Sequence, residues 1–230
     1  MKRELNVKMG RMKKIPRNLI KIKPILIPLL IFIISLLVYH LVPQFSFWYR
    51  HYVYLAKAFL NGRFDLQGFP NFYHDLIKIE GKIYIPFAPA PAFLLMPLVF
   101  IWGTEINQAL FCQFFGALNV TLTWILLKRL KMPPTVTLFL TILFGFGTVH
   151  FYSAVIGTTW YLAHVIAVFF LLLALVETFG KKRFFFIGFL LGLAALSRET
   201  AILSTPFFLW ALFLLQGLCG FRFLLCAVPL

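Results

Sequence analysis

The chain has 230 residues, 61% hydrophobic, 18% aromatic and only 13% charged, with a mean hydropathy of +0.90. Soluble domains carry roughly 25% charged residues, so this composition excludes an ordinary soluble enzyme and points to an integral membrane protein. The net charge of +15 does not indicate nucleic acid, because nine of the 22 Lys and Arg residues (Lys2, Arg3, Lys8, Arg11, Lys13, Lys14, Arg17, Lys21, Lys23) precede the first apolar run. In that place they act as a topology signal and meet anionic lipid headgroups.

Residues 1–23 therefore read as a basic cytoplasmic tail and 24–43 as a first transmembrane helix. The apolar core Ile25–Val42 has no small-residue cleavage site after it, so it is expected to remain as an anchor and not to be removed as a signal peptide. A helix needs about 20 apolar residues to cross a hydrocarbon core of ~30 Å. The later runs Pro86–Trp102, Gln108–Leu127, Pro134–Phe151, Trp160–Phe179, Phe184–Leu196 and Ala201–Leu218 are too continuously apolar for barrel strands. The expected fold is an all-α integral membrane protein, a polytopic helix bundle. Residues 103–230 form most of that bundle, and Phe223–Leu230 begin another run.

Between the first run and the rest lies the mixed-polarity stretch Gln44–Ile85. Within it, Trp48–Leu60 carries apolar residues at Tyr52, Leu55, Ala56 and Phe59, with Arg50, His51 and Lys57 interspersed, and stops at Asn61-Gly62. This predicts an amphipathic helix in the membrane interface with a glycine stop. Ile77, Ile79, Ile83 and Ile85 alternate with Lys78, Lys82 and Tyr84 around Glu80-Gly81, which predicts a small hairpin. Between these elements are Arg63-Phe64-Asp65 and Asn71-Phe72-Tyr73-His74-Asp75, the densest polar patch outside the tail.

Charge decides the topology. If Pro86–Trp102 crosses the membrane, strict alternation leaves ten basic residues inside and twelve outside; if it does not cross, the division is sixteen inside and six outside. Only the second agrees with the positive-inside rule. Pro86, Pro89, Pro91 and Pro97 point the same way, since proline removes a backbone donor and restrains the residue before it. Residues 44–102 are thus expected to form an outer-face loop with juxtamembrane helices and a proline-rich segment that is a short, broken or re-entrant helix. The His150–Trp160 and Ser197–Thr200 connections share that face.

Acidic residues number only seven. Glu4 belongs to the tail, Glu177 stands four residues before Lys181 in the favourable helix-pair order, and Glu105 sits in the turn Gly103–Asn107 as a cap or a solvated group. Asp65, Asp75 and Glu80 remain in the loop, each either solvated or functional, with His74 beside Asp75. Arg198 and Glu199 follow a glycine-containing apolar helix; they either pair or snorkel to the interface, or Arg198 holds a phosphate through its planar fork of donors. His150 ends one helix on the outer side, while Trp160 and His164 are i, i+4 neighbours on the next; interface anchoring and site roles are both open to them. Cys112, Cys219 and Cys226 lie in apolar runs with no metal-ligand or disulfide spacing. No phosphate-cradling glycine loop or nucleophile elbow is present.

Four stretches together carry a resemblance: LAKAFLNGRFDL (Leu55–Leu66), HDLIKIEGKIYIPFAPAPAFLLMPLVFIWGTEINQAL (His74–Leu110), FGFGTVHFYSAVIGTTWYLAH (Phe144–His164) and GLAALSRE (Gly192–Glu199). They resemble the polytopic GT-C glycosyltransferases, with bacterial and archaeal relatives of the protein O-mannosyltransferases (family 39) nearest. The resemblance spans roughly Phe47–Trp210. It implies transfer of a sugar from a polyprenyl-phosphate carrier to an acceptor at the outer face, catalysed by a carboxylate near the end of the first span. A divalent cation accompanies that carboxylate in some members. No Asp or Glu lies between Gln44 and Tyr54, where Arg50 stands about where the acid is expected, so Asp75 and Asp65 are the nearest catalytic substitutes. Arg198 matches the basic residue that follows the GLA-type helix. Arg198, Lys82, His74, Arg50, His150, Trp160 and His164 are the expected substrate-binding residues. The chain stops inside an apolar run at Leu230, which the resemblance reads as a partial member. The alternative expectation is a non-catalytic membrane protein that binds lipid-linked substrates.

Overall fold

A computed structural model describes residues 17–42, 49–68 and 73–214, the side chains of 17–24 excepted. Most of the basic tail, Asn71 and Phe72 of the polar patch, Cys219, Arg222, Cys226 and the last apolar run lie outside the described residues. The first run forms α1 (Arg17–Leu41). The expected amphipathic helix is α2 (His51–Leu60), ended by Asn61 and by Gly62 at φ +65°. His51, Tyr52, Val53, Leu55, Ala56 and Ala58 are buried; of the polar residues expected to face outward, Lys57 is exposed and Arg50 half-buried, while His51 turns inward.

The hairpin forms as β1 (Ile77–Ile79) and β2 (Lys82–Tyr84), paired antiparallel with Ile77 opposite Tyr84 and Ile79 opposite Lys82. Glu80 and Gly81 both have positive φ, +48° and +74°; a primed two-residue turn matches the right-handed strand twist. Leu66 N–H donates to Ile83 O at 2.8 Å and joins the hairpin to the segment leaving α2.

The proline-rich segment is a single helix, α3 (Ala90–Trp102), not a broken one. Pro91 lies in its first turn, where no backbone donor is needed, and Pro97 sits inside it. Ala90 N–H donates to Leu196 O at 2.9 Å, and Thr104 O, just past the helix end, accepts from Arg50 Nη1 at 3.0 Å. Both ends of α3 are thus tied to the end of the bundle where α2 lies. A helix of this length spans about 20 Å, and α3 packs along α2.

Asn107 then caps α4 (Gln108–Arg129), its Oδ1 accepting from Ala109 and Leu110 N–H at 3.0 and 3.1 Å. This cap, and not Glu105, satisfies the helix start. The expected run Pro134–Phe151 divides into α5 (Pro134–Phe146) and α6 (Val149–Ile156), bent by 49°. At the break the Thr148 hydroxyl donates to Phe144 O at 2.8 Å and accepts from His150 N–H at 3.2 Å, so the interrupted helix leaves few polar groups unpaired. α7 (Thr159–Thr178) and α8 (Phe184–Ala195) follow, then a 3-10 turn Glu199–Ser204 and α9 (205–214). Among the described residues, α4 and α7 are long and apolar enough to cross a membrane, and α5 with α6 makes a third if the bent pair is one span. The exterior is apolar: Phe185 is 90% exposed and Phe100 78%.

α4 is the central post, packed against α1, α5, α6 and α7. Its buried amides Gln108, Gln113 and Asn119 donate to Gly157 O, Val155 O and Val165 O at 3.0, 3.5 and 2.9 Å, which ties α4 to α6, the α6–α7 link and α7. In apolar surroundings such bonds contribute more than the packing of aliphatic chains, which lipid matches. At the far end of α4, Arg129 Nη1 donates to Val176 O at 2.6 Å. Glu177 pairs there with Arg183 (2.9 and 3.1 Å), not with Lys181, because the chain turns back through Lys182 at φ +58°.

Gly157, at φ +59°, leaves 2.6 Å between an added Cβ and the Ala109 Cα. Gly157→Ala should lower stability by about 3 kcal/mol, combining left-handed strain with overpacking. Gly188→Ala, with nothing within 4 Å of the new Cβ, should be neutral or stabilising by about 0.5 kcal/mol. Thermal unfolding of the two variants in detergent gives the comparison.

Candidate functional site

Three connections converge at the α2 end of the bundle. Tyr49 O accepts from Thr159 N–H at 3.2 Å and from Gln108 Nε2 at 3.4 Å, with Thr159 Oγ1 2.9 Å away. The loop before α2 is thereby fixed to the starts of both α4 and α7. The shared-face grouping expected from charge is therefore a physical grouping: residues 49–68 and 73–87, the α6–α7 link and residues 197–200 meet at one end, while 128–133 and 179–183 meet at the other.

His51 is the most engaged side chain of this region. It is fully buried; its Nδ1 lies 2.8 Å from Thr159 Oγ1 and its Nε2 lies 2.9 Å from His74 O. A carbonyl only accepts, so Nε2 carries a proton, and in the neutral ring Nδ1 accepts from the Thr159 hydroxyl. Thr159 Oγ1 in turn accepts from His51 N–H at 3.1 Å. The rings of Tyr73, Phe87 and Trp160 surround the imidazole at centroid distances of 4.8, 5.6 and 6.2 Å. Burial pushes the His51 pKa below its ordinary 6.5, against the opposing pull of its bond to His74 O and of the Asp75 charge.

Asp75 follows His74 directly. Its backbone is left-handed, φ +58°, and its Oδ2 accepts from Trp160 Nε1 at 3.1 Å. The residue is exposed, and its other carboxylate oxygen has no hydrogen bond among the described residues. Asp65 has a different setting: both of its oxygens are taken by Arg63 (Nε to Oδ1, 3.2 Å, and Nη2 to Oδ2), and this pairing holds its carboxyl below the usual range. It braces the turn beside the hairpin, with Lys82 within electrostatic range, and no bond joins it to the His51 cluster.

Arg198 lines a cavity of about 300 Å³ with Tyr52, Pro86, Phe87, Ala88, Ser197, Glu199 and Thr200. The residue is half-buried, and its side chain has neither an ion pair nor a hydrogen bond among the described residues. Glu199 does not pair with it. Burial raises the Tyr52 hydroxyl well above its ordinary pKa, and it stays neutral. Phe87 belongs to both recesses, packing against His51 and against Tyr52 at 6.3 Å. It forms the partition between Arg198 and the Asp75 cluster.

The other expected binding residues scatter. Arg50 is a brace, its N–H donating to the Tyr73 hydroxyl at 3.1 Å and its guanidinium to Thr104 O. Lys82 is exposed on β2 and does not reach the Arg198 cavity. His74 contributes its carbonyl, with its ring 6.0 Å from that of Tyr49. His150 starts a helix and does not end one on the outer side; it is buried, stacked on Phe144 at 4.5 Å, and its Nε2 donates to Gly116 O at 3.3 Å. His164 is exposed within electrostatic range of Arg198 and, with His150 and Tyr161, lines an apolar cavity of about 530 Å³ between α6 and α7. Among the described residues no three His, Cys, Asp or Glu side chains converge to hold a metal.

Sequence reasoning missed His51, Thr159, Tyr49 and Tyr52 as site residues. The Thr-Thr-Trp entry to α7 was the available signal, since threonine at a helix start commonly binds a neighbouring backbone. No protein-family model, curated protein or solved structure matches the chain.

Because the folded His51 has the lower pKa, the unfolded chain binds more protons in the window just below pH 6.5, and stability falls as pH drops through it. The unfolding midpoint of the wild type should decline from pH 7.5 to 5 more steeply than that of His51→Gln; parallel curves would assign the pH dependence to other groups.

Proposed function

We propose that the protein is a polytopic membrane glycosyltransferase of the GT-C type, which moves a sugar from a polyprenyl-phosphate donor to an acceptor at the outer face. The observation that carries this reading is Arg198: a half-buried guanidinium free of protein partners among the described residues, lining a cavity at the end of the bundle that also bears Asp75. A buried charge without a partner is costly unless a ligand or interface meets it. A phosphate fits the planar fork of donors. The apolar exterior and the two or three span-length helices support membrane insertion. The basic far end supports a cytoplasmic placement of that end and an outer placement of the site.

In this mechanism Asp75 Oδ1 takes the proton of an acceptor hydroxyl while Oδ2 stays on Trp160. The acceptor oxygen bonds to the sugar's anomeric carbon from the face opposite the phosphate, the carbon–oxygen bond to phosphate breaks, and configuration inverts. The departing polyprenyl phosphate keeps the electron pair, and its charge is met by Arg198. Base assistance of this kind contributes about 10²–10⁴ in rate.

Asp75 does not line the Arg198 cavity, and Phe87 stands between them. This separation favours a second reading, in which the chain binds lipid-linked substrates without turning them over.

Membranes incubated with labelled polyprenyl-phosphate sugars test both. Asp75→Asn, which keeps the Trp160 bond and tolerates the left-handed backbone, should cut transfer by about 10²–10⁴ with donor binding intact. Arg198→Ala should weaken donor binding by about ten- to a hundredfold. Loss of binding in Arg198→Ala with no transfer by the wild type would select the binding reading, and unchanged behaviour of both variants would remove both. Topology has its own check: Glu80→Cys should react with an impermeant maleimide in intact cells, and Lys181→Cys only after permeabilisation.

A further inference from the structure

We propose that His51 is the positioning residue for Asp75, acting through the backbone carbonyl of His74 in a tautomer set by Thr159. The role in transfer rests on the glycosyltransferase reading above; the positioning itself does not. The geometry contains a continuous chain of contacts. Thr159, at the first position of α7, donates to His51 Nδ1 at 2.8 Å, which leaves the ring proton on Nε2. Nε2–H donates to His74 O at 2.9 Å. Asp75 is the next residue, held at φ +58°, and its Oδ2 meets the indole of Trp160, the residue after Thr159.

The circuit therefore leaves α7 at Thr159, passes through α2 and the loop, and closes on α7 at Trp160. This closure gives a specific reason for a polar ring in a fully buried place. A loop carboxylate in a left-handed conformation has no secondary structure to hold it; residues 73–76 lie outside any helix or strand. The single peptide joining His74 to Asp75 is planar and stiff, so fixing the carbonyl on one side restrains the carboxylate-bearing residue on the other. Tyr49 and Tyr73 pack on the same ring and prevent it from turning away. A group held in this way loses rate steeply on small displacement: about 10²-fold for a 1 Å error.

Two conservative substitutions separate the ring's two functions. Gln places an amide N–H near the Nε2 position and preserves the bond to His74 O, whereas Asn places its amide near Nδ1 and preserves only the Thr159 side. The readout is the ¹⁵N resonance of the Trp160 indole, assigned with Trp160→Phe, with thermal unfolding recorded for each variant to show that it folds. The expected result is that His51→Ala and His51→Asn move the resonance as Asp75→Ala does, while His51→Gln leaves it near the wild-type position. In the transfer assay Ala and Asn should lower kcat by about 10²-fold with donor KM unchanged, and Gln should restore most of it. A Trp160 resonance unaffected by His51→Ala, or preserved by Asn and lost with Gln, would overturn the positioning role. The expected resonance pattern with no transfer from any donor would retain it and overturn the transferase reading.

Discussion

A single carbonyl oxygen organises the end of the bundle on which the candidate site sits. Tyr49 O receives two N–H donors, from the backbone of Thr159 and from the Gln108 amide. In apolar surroundings an unmet backbone acceptor costs several kcal/mol, so the loop cannot leave this place without exposing polar groups that have nowhere else to bond. The constraint fixes the start of α2 against the starts of α4 and α7. His51, Tyr52 and, through Phe87, the Arg198 cavity all follow from it.

The two ends of the bundle solve opposite electrostatic problems. At the far end, basic residues cluster in two turns, and Glu177, the one acid there among the described residues, is consumed by Arg183. At the α2 end two arginines are spent on structure, Arg50 on Thr104 O and Arg63 on Asp65, and Lys57, Lys78 and Lys82 are exposed. Arg198 is different because the residues around it are apolar or neutral apart from Glu199, which does not reach it. Among groups that share one end of the molecule, those already satisfied are framework and those left open are candidates for ligand contact. By that criterion Asp75 and Arg198 stand apart from Asp65 and Arg50.

Histidine shows how weak residue type alone is as a guide. His150, His164 and His74 all attracted attention from their places in the chain, yet His150 is a packing residue donating to Gly116 O and His74 acts through its backbone. His51, read as one of several polar residues on an amphipathic face, is the buried centre of the cluster. What hid it is physical: Thr159 and Trp160 at the start of α7 and the rings of Tyr73 and Phe87 close over it, so one residue of a face that is polar in sequence becomes interior in the fold.

The sequence by itself determined the helical class, the hairpin at Glu80-Gly81 and the glycine stop after α2. Each depends on a local property: apolar run length, alternation and turn chemistry. The grouping of the three connections at one end also followed, because alternation of spans is a parity argument that needs no side-chain contacts. The division of Pro134–Phe151 into α5 and α6, the pairing of Glu177 with Arg183, the diversion of Asp65 to Arg63 and the burial of His51 were decided only by the tertiary structure. These depend on which surfaces meet across many residues of chain, and hydrogen bonds in an apolar interior go to whichever partner that packing brings within 3 Å or so.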